Sequence, residues 1–334
     1  AASIPAGEGP DVITLFYGWL PMYVKGGYLQ QLPTSDFNKA WFDKTYYPFV
    51  AESVDFGGKY YSAPTAVRTL ALIWNKSLFK EAGLDPNTPP KTLEELQAYA
   101  KKLSKYDAKG NLVQAGLLMQ PSGQGHSWLR EVLFRQFGSV PYNKDYTKVS
   151  YNDDKAAAAL KWYTDLITKD KVGYPNFATD DVTAFKAGKG AMNIDGSFRI
   201  ATLNAIKTLE WGVSELPTYK GIKSNYASYW THGIVSGTSG KKLDASIKFL
   251  KYLVSPEVQE LWLQKVGELP ATPALSEKYR NDPVIQPFLK GLEYAKASLF
   301  VDEAGQRNII VDAVDEVVLK KSDPAAVLKA QAAK

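Results

Sequence analysis

The stretch Ala1-Ala-Ser-Ile-Pro-Ala-Gly-Glu-Gly-Pro-Asp-Val-Ile-Thr-Leu15 decides how the rest of the chain is read. It reads as the tail of a helix, a turn punctuated by Gly and Pro, and then an apolar run, Val12 to Phe16, with strand character. Outward from that run, helical and β-rich segments alternate. Trp19–Gly27 is a short helix ending at Gly, and Ser35–Tyr47 contains another, with Ser35 or Asp36 as its cap. Val67–Asn75 is a strand, introduced by the turn Gly57-Gly58-Lys59-Tyr60-Tyr61. Thr92–Tyr106 is a helix with Thr92 as cap, Glu95 three residues on, and an apolar stripe of Leu93, Leu96, Tyr99, Ala100 and Leu103. Further helices are expected over 128–137, 153–169, 180–187, 198–208, 244–253, 256–265, 308–320 and 324–333. The intervening strands are expected at 115–119, 191–194 and 211–216. Ser255 caps the helix that begins at Pro256. Such alternation predicts an α/β protein.

Length and composition bound the function. The 334 residues suffice for two domains at about 150 residues each. Hydrophobic residues make up 45% and charged residues 22%, the balance of a globular chain rather than a disordered one. No apolar run approaches the roughly 18 residues of a membrane helix, and the opening has no signal-peptide pattern. The net charge of +5 is spread among acidic residues, and the pairs Lys101-Lys102, Lys241-Lys242 and Lys320-Lys321 read as solvated helix ends, so no nucleic-acid partner is expected. Absence of Cys excludes disulfides, thiol catalysis and Cys-based metal sites. The 8 Trp, 20 Tyr and 14 Phe supply core, and their flat faces also suit the C–H faces of pyranose rings.

Five segments in order resemble one family. They are the opening turn; Gly57-Gly-Lys-Tyr-Tyr-Ser-Ala-Pro64 with Ala71-Leu-Ile-Trp-Asn-Lys76; Phe79 to Leu93; Phe185-Lys-Ala-Gly-Lys-Gly-Ala-Met-Asn-Ile-Asp-Gly196; and Phe249-Leu-Lys-Tyr-Leu-Val-Ser-Pro-Glu-Val-Gln259 through Gly267-Glu-Leu-Pro-Ala271. Each is weak alone, and together they resemble the bacterial extracellular solute-binding proteins of family 1, the sugar-binding, maltose-binding-protein-like components of ABC importers. One departure is Leu93, where the family usually has Trp.

The resemblance implies a periplasmic-binding-protein type II fold: two α/β lobes with a hinge and an interlobe ligand cleft. It places lobe 1 at 1–67 plus 232–270 and lobe 2 at 68–231 plus 271–334, with crossings near Arg68, Thr231 and Pro270. It implies a carbohydrate ligand, delivery to a membrane permease by hinge closure, a periplasmic or extracellular location (lipid-anchored in a Gram-positive source), and a monomer. No cofactor or metal is expected. In this family's sheet two further strands lie beside the strand corresponding to Val12–Phe16. Without them that strand is an open edge, and the expectation is that roughly fifty residues precede Ala1 in the natural protein.

Ligands in such folds meet loops at strand ends. Tyr17 and Trp19 follow the first strand directly. Thr65 and Arg68 lie at the first crossing, where Arg68 either forks onto hydroxyls or a carboxylate, or forms a structural ion pair. His126 and Trp128 sit in the Gly123–Trp128 segment, which reads as a loop. His126 is expected to hydrogen-bond rather than catalyse, and Trp128 to stack. Asp195, Phe198 and Arg199 follow a strand; Asp195 either accepts from sugar hydroxyls or caps a helix. Tyr229, Trp230 and His232 mark the second crossing, and Glu268 and Phe300 complete the set. Arg68, Arg199 and His232 together would suit a uronate or phosphate, so an anionic ligand (uronate, glycerol phosphate) or a polyamine is the alternative to a neutral sugar. An enzyme is the remote alternative. Leu129 breaks the Gly-x-Ser-x-Gly elbow at Gly125, and there are two His residues in all.

Overall fold

The computed structural model describes residues 4, 9–143, 148–175, 177–298, 300 and 303–333. Residues 1–3 and 5–8, which carry the helix-tail reading of the opening, lie outside the described residues. The strands are β1 (Val12–Phe16), β2 (Ser62–Asn75), β3 (Lys105–Tyr106), β4 (Leu112–Gln114), β5 (Met192–Gly196), β6 (Trp211–Ser214), β7 (Asn225–Ile234), β8 (Leu269–Pro270) and β9 (Ala295–Lys296). The helices are α1 (Leu20–Lys25), α2 (Lys39–Thr45), α3 (Pro48–Ser53), α4 (Lys76–Glu81), α5 (Leu93–Leu103), α6 (Gln124–Gln136), α7 (Asp154–Thr168), α8 (Asp181–Lys186), α9 (Ile200–Asn204), α10 (Gly240–Leu253), α11 (Pro256–Val266), α12 (Pro273–Ser276), α13 (Gln286–Leu292), α14 (Glu303–Lys320) and α15 (Pro324–Gln331). Thr92 and Ser255 cap α5 and α11 as expected, and Asp153 and Asp323 likewise accept from a backbone N–H three residues on. Helix α2 starts later than expected, at Lys39, because Asn38 rather than Ser35 or Asp36 accepts from the Trp41 N–H.

The chain's contacts divide it into two α/β units. Unit 1 comprises Ala1–Thr69 and Ala227–Glu303; unit 2 comprises Leu70–Tyr226 and Ala304–Lys334. In unit 1, β7 runs antiparallel between β1 and the first half of β2. Phe16 and Ala66 both stand opposite Trp230, and Thr14 and Ala63 opposite His232. Among the described residues β1 pairs with β7 alone. In unit 2, the second half of β2 is held between β5 and β6, again antiparallel. Ile73, Ala115, Leu118, Phe185 and Leu203 form part of the core there, and α7 packs on both α6 and α15.

These boundaries differ from those expected. The second falls before Ala227 because β7 pairs from Ala227 onward with strands of unit 1. Residues 271–303, expected in lobe 2, stay with unit 1. There Ala271 N–H donates to Gln259 Oε1 at 2.9 Å, and Glu260 of α11 takes both Lys278 and the Tyr279 hydroxyl. Local assignments shift too. The helix expected to run to Tyr106 stops at Leu103, where Ser104 Oγ turns back to Ala100 O and Lys105–Tyr106 enters a hairpin with β4. The strand expected at 115–119 is reduced to a bridge from Ala115 to Gly190. The expected loop at Gly123–Trp128 is, from Gln124 on, the start of α6.

Gly116 shows how tightly this part is assembled. A Cβ there would lie 1.8 Å from Ala100 O, a backbone atom inside α5 that cannot swing aside. Gly116→Ala is therefore expected to destabilise the protein by about 2–3 kcal/mol, read as a drop in the urea midpoint with an unchanged m-value. An unaltered midpoint would contradict this packing.

Candidate functional site

The sequence-predicted residues fall into two sets, one in each unit. In unit 1, β1 ends at Phe16 and the chain turns through Tyr17–Trp19 into α1. Register against β7 brings Phe16 level with Trp230. Three rings meet: Phe16 lies 5.8 Å from Trp19 and 6.1 Å from Trp230, and the two indoles are 6.2 Å apart at 88°. Trp19 and Trp230 remain 41% and 40% exposed; Trp262 is as exposed, and what sets this pair apart is that the two rings adjoin and form one apolar patch. Phe300 lies alongside Phe16 at 6.4 Å, partly exposed. Tyr17 and Tyr229 were expected at the ligand but are fully buried. They stack on each other at 4.6 Å, and the Tyr229 hydroxyl is bonded to Ser53 Oγ, so their places are in the core.

The polar members of unit 1 are committed to one another. Arg68 Nε donates to both oxygens of Glu268, at 2.7 and 2.8 Å, and Nη2 donates to Oε1. The structure thus selects the ion-pair alternative for Arg68, with Glu268 as its partner. Thr65 sits at an irregularity in the β2–β7 register between Pro64 and Ala66. Its hydroxyl donates to Leu253 O at 2.8 Å, so it accepts from His232 Nε2–H at 2.7 Å. His232 Nδ1 is then left to accept from the Thr14 hydroxyl at 3.0 Å. This chain assigns the Nε2–H tautomer, and burial holds the imidazole neutral by pushing its pKa down to about 4.

In unit 2, α6 starts against the end of β5. A Cβ on Gly125 would lie 2.9 Å from Ile194 O and 3.1 Å from Asp195 Oδ1, so only glycine lets the helix approach so closely. Asp195 is buried; its Oδ1 accepts from Gly196 N–H at 2.8 Å and its Oδ2 from Arg199 Nε at 2.6 Å. Burial pushes its pKa up to about 6; Arg199 opposes that shift and Asp181 adds to it. It does not act as a side-chain helix cap: the turn that follows starts at Gly196 without one. The Phe198 ring folds over Gly196, whose Cβ would meet it at 2.1 Å, and the Arg199 guanidinium lies 5.0 Å from that ring's centre. Trp128 is buried, stacked on Tyr226 at 5.1 Å and edge-on to Phe198 at 6.2 Å. His126 is fully buried, with Nδ1 2.8 Å from the Tyr163 hydroxyl. Burial, then neighbouring Arg130, push its pKa down to about 3, which gives it an interior structural place rather than a ligand contact.

Sequence reasoning missed Phe16, read only as a strand residue, and Tyr226, the platform under Trp128. The one available signal was strand alternation carried one residue further into the aromatic run. Among the described residues, no group of three or more His, Asp or Glu is placed to hold a metal, and no helix is long and apolar enough to cross a membrane.

The profile of the bacterial extracellular solute-binding protein family matches residues 1–287, and the chain belongs to that family. It is 24% identical over 311 residues to the maltotriose-binding protein of Pyrococcus abyssi, covering 88% of this chain and 62% of that protein. It is 27% identical over 238 residues to the sn-glycerol-3-phosphate-binding periplasmic protein UgpB of Salmonella typhimurium, covering 67% and 52%. The chain thus spans between half and two thirds of the length of these relatives. Among solved structures, the cyclic α-maltosyl-1,6-maltose binding protein of Arthrobacter globiformis superposes with a TM-score of 0.82 at 22% identity, over 99% of this chain and 85% of that one. CpMnBP1 with mannobiose bound gives 0.78 at 26% identity, over 99% and 85%.

The His232 network makes a pH prediction. The folded pKa lies below the ordinary 6.5, so the stabilising neutral form is fully present above that value, and its contribution is lost as pH falls from 6.5 toward about 4. Relative to wild type, His232→Asn should remove about 1.4 kcal/mol per pH unit of acid sensitivity across that window. Chemical denaturation of the two proteins at a series of pH values measures the slope difference, and the opposite-signed contribution of Asp195 cancels because both carry it. Parallel slopes would contradict the neutral assignment.

Proposed function

We propose that this chain is the substrate-binding component of an ABC importer and that it binds a sugar or oligosaccharide. The observation that carries this reading is the pair of half-exposed indoles, Trp19 and Trp230, set at a right angle over Phe16. Such a corner offers one face for stacking a pyranose and a wall beside it, where burial of C–H surface favours sugar over water. On this reading Phe300 extends the apolar wall, and the partly exposed Phe198 and Arg199 belong to the ligand's surroundings in unit 2, backed by the buried Asp195 and Trp128. The expectation that ligand engages both units, and shifts an open–closed equilibrium through its differential affinity, stays part of the proposal. So do a membrane permease as partner, a monomeric state, a periplasmic or extracellular location (with a lipid anchor in a Gram-positive source), and the absence of catalysis.

A second reading, an anionic ligand, is favoured by the match to sn-glycerol-3-phosphate-binding proteins. The charges weigh against it. Arg68 is forked onto Glu268, Arg199 is bonded to Asp195, and burial keeps His232 neutral. The same pairing disfavours a glycosidase built on Asp195, because that carboxylate is held by the Arg199 guanidinium.

A thermal-shift screen with maltotriose, mannobiose, galacturonate and glycerol 3-phosphate tests this. A neutral sugar at about 100-fold its Kd should add about 2.7 kcal/mol of stability, and Trp230→Ala should weaken its binding by roughly tenfold with little loss of Tm. A shift with glycerol 3-phosphate alone would move the assignment to the second reading. Release of smaller sugars would overturn the transport reading.

A further inference from the structure

Arg130 lies on the second turn of α6 and is among the largest fully buried side chains of the protein. Its environment is unusual for a cation. Nη1 donates to Pro121 O at 2.7 Å, Nη2 donates to Ser127 Oγ at 3.3 Å, and the guanidinium lies 5.8 Å from the centre of the Tyr163 ring. Among the described residues no carboxylate forms a salt bridge with it; burial pushes its pKa down, the Tyr163 hydroxyl opposes that shift, and Arg307 and Asp315 of α14 act more weakly and with opposite sign. Burial without a paired anion is costly, and an apolar residue of similar volume commonly serves stability as well or better. Stability alone is therefore a poor account of this residue.

Its geometry supplies another. Helix α6 opens at Gly123 without a side-chain cap. The loop before it is held at the Pro121 carbonyl by Arg130, and its first turn is held at His126 by the Tyr163 hydroxyl. Tyr163 belongs to α7, so the brace ties the start of α6 to a neighbouring helix. On the opposite side of that braced start, Gly125 meets Asp195 and Trp128 meets Phe198. A guanidinium suits the task because its fork is rigid and its charge does not depend on pH.

We infer that Arg130, with Tyr163 behind it, is the positioning residue for the unit 2 part of the sugar site, setting where α6 holds the buried Trp128 beneath the partly exposed Phe198 and meets Asp195. This rests on the proposed sugar-binding function. Arg130→Met keeps volume and removes both donors. Its Tm should stay at or above that of wild type, while its Kd for maltotriose or mannobiose, whichever the wild type binds, rises by about tenfold or more. Amide exchange over residues 120–125 should be faster in the variant. Arg130→Lys, which keeps the charge without the fork, should not restore affinity. If Arg130→Met does not fold, Tyr163→Phe decides: it removes the hydroxyl that meets His126 and interacts with the Arg130 guanidinium, and it should weaken binding in a protein that still folds, with Tm lowered only as far as one orphaned imidazole nitrogen requires. Wild type that binds while Arg130→Met, or Tyr163→Phe in its stead, keeps its Kd within about twofold overturns this inference and leaves the sugar reading standing. Wild type that binds neither sugar overturns both.

Discussion

The pairing of β7 against β2 is the constraint on which the rest depends. Its register places Trp230 opposite Ala66 on one side and Phe16 on the other, and His232 opposite Ala63 and Thr14. Because side chains alternate across a strand, a slip of one residue would exchange the exposed Trp230 for the buried Tyr229 and break the Thr14–His232–Thr65 chain. The irregularity at Thr65 serves the same arrangement by turning its hydroxyl toward both the imidazole and the Leu253 carbonyl. One ladder thus fixes the aromatic corner and the polar network behind it.

A second theme is internal neutralisation. The residues that looked in sequence like anion receptors find their counter-charges within their own unit: Arg68 with Glu268, Arg199 with Asp195. Both imidazoles are held neutral by burial. On the proposed sugar reading, what remains for a ligand is aromatic surface and hydrogen-bonding capacity rather than net charge, a combination that suits polyhydroxylated molecules better than ionic ones.

Much of this was legible in the chain. Strand Val12–Phe16 and the capped starts of α5 and α11 follow from local patterns: an apolar run, a Ser or Thr three residues before a paired amide, an apolar stripe. The two-unit plan was legible only through chain length and the family resemblance. The pairing of Arg68 with Glu268 spans 200 residues and has no local signal. Nor does β7 alternate cleanly, since Tyr226, Ala227, Tyr229, Thr231 and Ile234 are all buried. With most of the strand's residues inside, its apolar and polar residues carry no usable period. The same blindness let Tyr17 and Tyr229 pass for ligand contacts. A tyrosine looks alike in sequence whether its ring faces a sugar or another tyrosine.

The right-angled indoles of Trp19 and Trp230 have an optical consequence. Two strong chromophores 6.2 Å apart at 88° couple their electronic transitions, and the coupling depends on their mutual orientation. The protein therefore carries a built-in chiroptical gauge of its aromatic corner. Any molecule that wedges between the rings, or draws one of them down, changes the exciton band in the ultraviolet circular dichroism without a label, and a bystander that binds elsewhere leaves it untouched.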